Sequence, residues 1–175
     1  NTFFVLTRLF FLGHLRFLAL RFDSILDSNH ALLQRYLNGR FVSFDVDKLL
    51  PVFEPFHQGI VDRHGTVPLR FPGYPDSYEL RLGADAVDRR VTLSLDIQLP
   101  IHAPGFWFCI HCLMAEDFVA LLAPSARGIY YVNPGTPDHA PTFTADTEST
   151  FASIMSRVHS VDELIRLFNK ADNAE

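Results

Sequence analysis

GFWFCIHCLMAEDF, residues 105–118, contains the chain's only two cysteines, Cys109 and Cys112, with His111 between them. Its backbone state decides the fold. In a strand, side chains alternate: Trp107, Cys109 and His111 take one face, and Phe106, Phe108, Ile110 and Cys112 the other. The two thiols then point to opposite sides of a sheet and can neither bridge nor share an ion. At a helix start the same pair faces one way, and the helix dipole draws the first thiol's pKa down. The run of Phe106, Trp107, Phe108 and Ile110 favours a central strand. Its cysteines then act as small buried apolar groups.

Downstream, AEDFVALLAP reads as a short amphipathic helix that Pro124 ends, with Glu116 and Asp117 in its first turn. GIYYV (128–132) and PTFTA (141–145) read as strands. Asp146 then caps a helix over TESTFASIMSRV, with Phe151, Ile154, Met155 and Val158 inward. In the last helix Ser160 and Glu163 form a capping box, and Val161, Leu164, Ile165 and Phe168 make an apolar stripe. Upstream, RVTLSLDIQL (90–99) alternates cleanly, with Val91, Leu93, Leu95, Ile97 and Leu99 on the buried face. VPLRF (67–71) and YELRL (78–82) are strands joined by the turn-rich PGYPDS. Pro51 and Pro55 limit DKLLPVFEPF to short helical turns, and FVSFDV (41–46) is a strand. SILDSNHALLQRYLNG (24–39) shows a helical stripe of Ile25, Leu26, Leu32, Leu33, Tyr36 and Leu37, with Asn38-Gly39 as its stop. The expected fold is α+β: a largely antiparallel sheet of five or six strands, an N-terminal helix and C-terminal helices, in one domain over 1–175.

The chain is long enough for one sizeable core, and its 17 phenylalanines make that core strongly aromatic. The net charge of -5 lacks the basic surface of a nucleic-acid binder. Residues 1–44 carry five Arg and two Asp, whereas the remainder carries ten basic and eighteen acidic groups. An acidic body of that kind would favour a basic partner, and a solvated acidic surface is the more ordinary reading of it. Two cysteines do not make a disulfide scaffold, and an intracellular, cytoplasmic setting is expected. The chain opens on Asn, so residues 1–22 are either part of the domain or a separate or incomplete N-terminal segment. Arg8, His14, Arg16 and Arg21 interrupt this apolar stretch short of the roughly 20 residues a membrane span needs. An interfacial amphipathic helix touching a membrane is the alternative to the favoured reading, buried structure whose arginines reach the surface.

Two groups of side chains could hold a metal. His102, Cys109, His111 and Cys112 form one, needing His64 or His139 to complete it; His57, Asp62 and His64 in HQGIVDRHG form the other. The second could also serve acid–base chemistry. Asp47, in FDVDK, is expected to cap the turn that follows it. No glycine-rich phosphate loop, GxSxG elbow or HExxH occurs.

The order GFWF, CIHC, AEDFVALL, with APTF at 140–143, resembles the thioredoxin superfamily. That resemblance implies Cys109 as nucleophile, Cys112 as resolving thiol and Pro141 as the cis-proline facing them. GIYYVNPGTPDHAPTFTADTESTFASIMSRV is similar to the end of SMI1/KNR4-type (SUKH) domains. This second resemblance implies N-terminal helices before a largely antiparallel sheet, and a role binding and blocking a toxin, as in immunity proteins. The expected function is therefore a non-enzymatic binding domain with a protein partner and no cofactor. A thiol oxidoreductase using Cys109 and Cys112 is the first alternative, and a metal-dependent enzyme using His57, Asp62 and His64 the second.

Overall fold

The structure, a computed structural model, describes residues 30–37, 40–57, 61–75, 77–116, 119–123, 128–133 and 155–169. Its strands are β1 (His30–Leu37), β2 (Arg40–Val42), β3 (Phe44–Asp45), β4 (Thr66–Arg70), β5 (Ser77–Arg81), β6 (Val91–Thr92), β7 (Leu95–Gln98), β8 (Val119–Ala123), β9 (Gly128–Tyr131) and β10 (Met155–Arg157). Its helices are α1 (Val46–Leu49), α2 (Asp85–Asp88), α3 (Pro104–Glu116) and α4 (Val161–Asn169), and Leu50–Phe53 forms a 3-10 turn after α1.

Seven strands run in the order β10-β9-β8-β1-β7-β5-β4, and β2 pairs with the far end of β1. Every pairing is antiparallel except β9 with β10. A separate two-stranded sheet joins β3 to β6. The fold is α+β with a largely antiparallel sheet, as the sequence leads one to expect, but eight strands stand in the main sheet instead of five or six.

Three strands of the main sheet, β1, β8 and β10, lie in segments expected to be helical. Residues 30–37, expected within a helix over 24–39, form β1, the strand at the centre of the sheet. The expected N-terminal helix is thus overturned over 30–37, and residues 1–29 lie outside the described residues. A strand buried on both faces carries apolar residues in succession, as Ala31, Leu32 and Leu33 do, and such a run also satisfies a helical stripe. Leu37 pairs with Arg40 of β2, so residue 37 ends a strand and not a helix; residues 38 and 39 lie outside the described residues. In the same way VALLA at 119–123 is not a helix but β8, with all five residues buried.

A further correction concerns residues 104–116, which form α3 and not a strand. Phe106, Trp107, Ile110, Leu113 and Met114 are buried at helical spacing. Residues 155–157, expected in a helix from Asp146, form β10; residues 134–154, including the expected strand at 141–145, lie outside the described residues. The expected single strand over 90–99 is broken between β6 and β7. Leu95, Ile97 and Leu99 are buried as expected, but Leu93 is 61% exposed and Thr92 is buried instead. Thr92 Oγ1 lies 2.6 Å from the Leu82 carbonyl and 2.7 Å from that of Ser94, which satisfies the buried hydroxyl.

Other expectations hold. β4, β5 and β9 fall within one residue of 67–71, 78–82 and 128–132, and α1 with its 3-10 turn occupies the proline-limited segment. At α4, the Glu163 N–H donates to Ser160 Oγ at 3.2 Å, and Glu163 Oε2 accepts the His159 N–H at 2.9 Å. This is a capping box whose return bond lands one residue early.

All the described helices contribute side chains to one core, packed on one face of the sheet. Aromatic rings run through it: Trp107 stacks on Phe168 at 4.3 Å, and Phe106 stands edge-on to Trp107 at 5.4 Å and to Phe71 at 6.1 Å. The Trp107 indole N–H donates to the Ile101 carbonyl at 2.9 Å. On the opposite face Leu32, Ala120, Leu122 and Ile129 form a smaller cluster. The outer edge of β4 is blunted. The Arg70 N–H donates to Phe56 O at 2.7 Å, the Asp62 N–H to Thr66 O at 3.0 Å, and Pro68 has no N–H to offer.

Candidate functional site

The two cysteines occupy the sixth and ninth positions of α3, both as free thiols. Three residues apart on a helix, they share a side, unlike the alternation expected of a strand. The favourable end of the helix dipole lies more than a turn away from Cys109, and its influence fades within the first turn. Cys109 is buried, and its thiol donates to the Val52 carbonyl at 3.2 Å. Burial, and secondarily the neighbouring Cys112, push its pKa up to about 11. The half-buried Cys112 is also raised, by burial first and then by the Glu116 carboxylate at the end of α3. Both shifts run opposite to what a dithiol nucleophile requires. Pro141, the third member of the thioredoxin-like set, lies outside the described residues, as does His139.

The metal sets are not brought together. Among the described residues, no group of three or more His, Cys, Asp or Glu side chains is arranged to hold an ion. Asp62 serves its own loop: its Oδ1 accepts the N–H groups of His64 and Thr66, each at 2.8 Å. The Thr66 bond is the main reason its carboxyl stays below the usual range, followed among the lowering influences by the His64 bond and the charges of His64 and Arg63. His64 Nε2 accepts from Arg63 Nε at 3.0 Å, while His57 bridges to Leu69 in the sheet. His102 is exposed, and His111 is half-buried with its Nε2 lacking a hydrogen-bond partner. The capping role expected of Asp47 belongs to Asp45, whose side chain accepts the Asp47 N–H at 3.0 Å; Asp47 instead pairs with Arg90 at 2.6 Å.

What sequence reading missed is the outward side of α3. Phe108 is 58% exposed in the middle of a helix whose other aromatic side chains are buried. Pro104, Ala115 and Glu116 are exposed with it, and His111 and Cys112 are half-buried at the margins. At 100° per residue, Pro104, Phe108, Cys112 and Ala115 form one apolar stripe. The 3-10 turn lies on the Cys109 side, and α4 on the Trp107 side. The signal was available: Phe106, Trp107, Ile110, Leu113 and Met114 fill one helical arc, which leaves Phe108 opposite.

A polar network, also missed, occupies the other face of the sheet. His30 Nδ1 lies 2.7 Å from Asp96 Oδ1, and Arg81 reaches both Glu79 and Gln98 at 3.3 Å. The register places Arg81 beside Asp96 and His30 beside Gln98. The Arg81 contacts are exposed and add little stability, whereas the His30–Asp96 pair is partly buried. Among the described residues, no helix is long and apolar enough to cross a membrane. Comparison with known protein families, curated proteins and solved structures finds no match.

Proposed function

We propose that the chain is a non-enzymatic, intracellular protein-binding domain, immunity-like in its mode of action, that docks its partner on the outward stripe of α3. The observation that carries this reading is Phe108. An aromatic ring 58% open to water gives nothing comparable to a buried ring's stability, and buried aromatic anchors dominate protein interfaces. The stripe stands on a rigid support. On the inner side of the same helix, Phe106 and Trp107 are locked into the core by their ring contacts. The acidic balance is compatible with a role in binding a protein partner. The raised thiol pKa values count against the oxidoreductase alternative.

A photo-crosslinking amino acid placed at 108, with a control at the exposed Ser156, tests the reading in the native cell. The expected result is one specific crosslinked protein at 108 and none at 156. That protein should also be retained when Cys109, which lies off the stripe, is changed to Ser, a change that would disable a dithiol enzyme. Equal labelling at the two positions would remove the basis for assigning the interface to α3.

A further inference from the structure

We infer that the partner of the α3 stripe is a basic protein segment, one that places an apolar anchor against Phe108 and Lys or Arg side chains around it. This rests on the reading of α3 as the docking surface. Glu116 is exposed at the end of the stripe itself. Glu54 is exposed at the end of the 3-10 turn, whose Val52 carbonyl accepts the thiol hydrogen of Cys109, the neighbour of Phe108. Asp162 is exposed in the first turn of α4, the helix that packs along the other flank of α3. Among the described residues of these flanking elements the cations are Lys48, in the helix that leads into the 3-10 turn, and Arg166 in α4, and the Arg166 guanidinium is turned back onto its own helix, donating to the Asp162 carbonyl at 3.2 Å. From residue 45 onward the chain carries ten basic and eighteen acidic groups, so the long-range field has the same sign as these carboxylates. An apolar stripe whose own helix and both flanking elements carry exposed carboxylates selects the opposite charge, chiefly through encounter rate and exclusion of acidic competitors.

The test uses a random peptide library displayed on phage and panned on the full chain, with the Phe108→Ser variant for counter-selection. The expected survivors pair Leu or an aromatic residue with flanking Lys or Arg. Glu54→Lys combined with Glu116→Lys should weaken their binding about tenfold, and salt should weaken it as well. Both positions are exposed, and a cation at 116 suits a helix C-terminus, so folding is preserved. Survivors that require Phe108 but are acidic, or that ignore the charge reversals, would overturn the basic partner and leave the docking reading standing. A library yielding no Phe108-dependent peptide would overturn the docking reading itself. A synthetic peptide of residues 1–22, which has Arg8, Arg16 and Arg21 and no acidic residue, provides a separate arm. Competition by it at comparable affinity would reassign the stripe to the chain's own segment, against an external partner.

Discussion

Replacing Phe106 and Phe108 separately by Ala distinguishes the helix from the strand that the sequence suggests. In a strand the two residues share a face and should respond alike. In α3 they lie about 200° apart on the helical wheel. Phe106 is fully buried, with ring neighbours Phe53 at 6.2 Å, Phe71 at 6.1 Å and Trp107 at 5.4 Å. Truncating such a ring removes its transfer energy and leaves a cavity, a loss of about 3–5 kcal/mol. Phe108 is 58% exposed, so its truncation gives up less than half a side chain's burial. Ala is also the better helix former by about 0.5 kcal/mol, which brings the net change to about 1 kcal/mol or less. For a chain of 175 residues, the first substitution should lower the melting temperature by about 10 °C and the second by about 2 °C or less. Urea unfolding followed by circular dichroism gives the same comparison as free energies. Equal losses, or a larger loss at 108, would refute the helical placement of this segment.

Other substitutions probe the frame around α3. Ser160→Ala should cost about 1 kcal/mol in urea unfolding, with Ser160→Asp close to wild type, because the Oγ cap on Glu163 N–H is what is lost; an equal loss with Asp would point elsewhere. Gly65→Ala should be far worse, about 2–4 kcal/mol. Gly65 has φ +76°, and a Cβ there would stand 2.0 Å from the Gly83 carbonyl oxygen, which belongs to backbone and cannot swing aside. Asp62 gives a pH signature. Its folded pKa is depressed, so its contribution is present above the unfolded value of about 4 and fades as pH falls through the lower folded value. The stability gap between wild type and Asp62→Asn should therefore be present at neutral pH and shrink towards about pH 2; a gap that widens on acidification would contradict the assignment.

Much of the outer sheet is legible in the sequence. β4 and β5 alternate because one side of each packs on the core and the other meets water, as Leu69 against Arg70 and Leu80 against Arg81 show. The central strands are not legible by that rule. β1 and β8 have neighbours on both edges and buried residues on both faces, so alternation disappears and a helix fits their apolar runs equally well. The reverse error at 104–116 has the same root. With its inner arc filled by Phe, Trp, Ile, Leu and Met and its outer stripe also apolar, α3 shows little polar periodicity to read. Its aromatic and β-branched content then suits a strand as well as a helix. The thiols and histidines drew attention because their chemistry is visible in a sequence. Phe108 reads in the sequence as one more core aromatic, since its exposure follows only once the helix axis is known.

The pH dependence of Cys109 alkylation, measured in the Cys112→Ser variant so that one thiol reports, tests most directly whether this segment is helix interior or reactive dithiol. With its pKa pushed up to about 11 by burial, Cys109 should react slowly at neutral pH. Its rate should still be rising about tenfold per pH unit at about pH 9.5, well past the point where an ordinary thiol levels off. A fast reaction that reaches its plateau at or below about pH 7 would place a thiolate at a helix start, and the reading of α3 as a binding helix with inert thiols would fall.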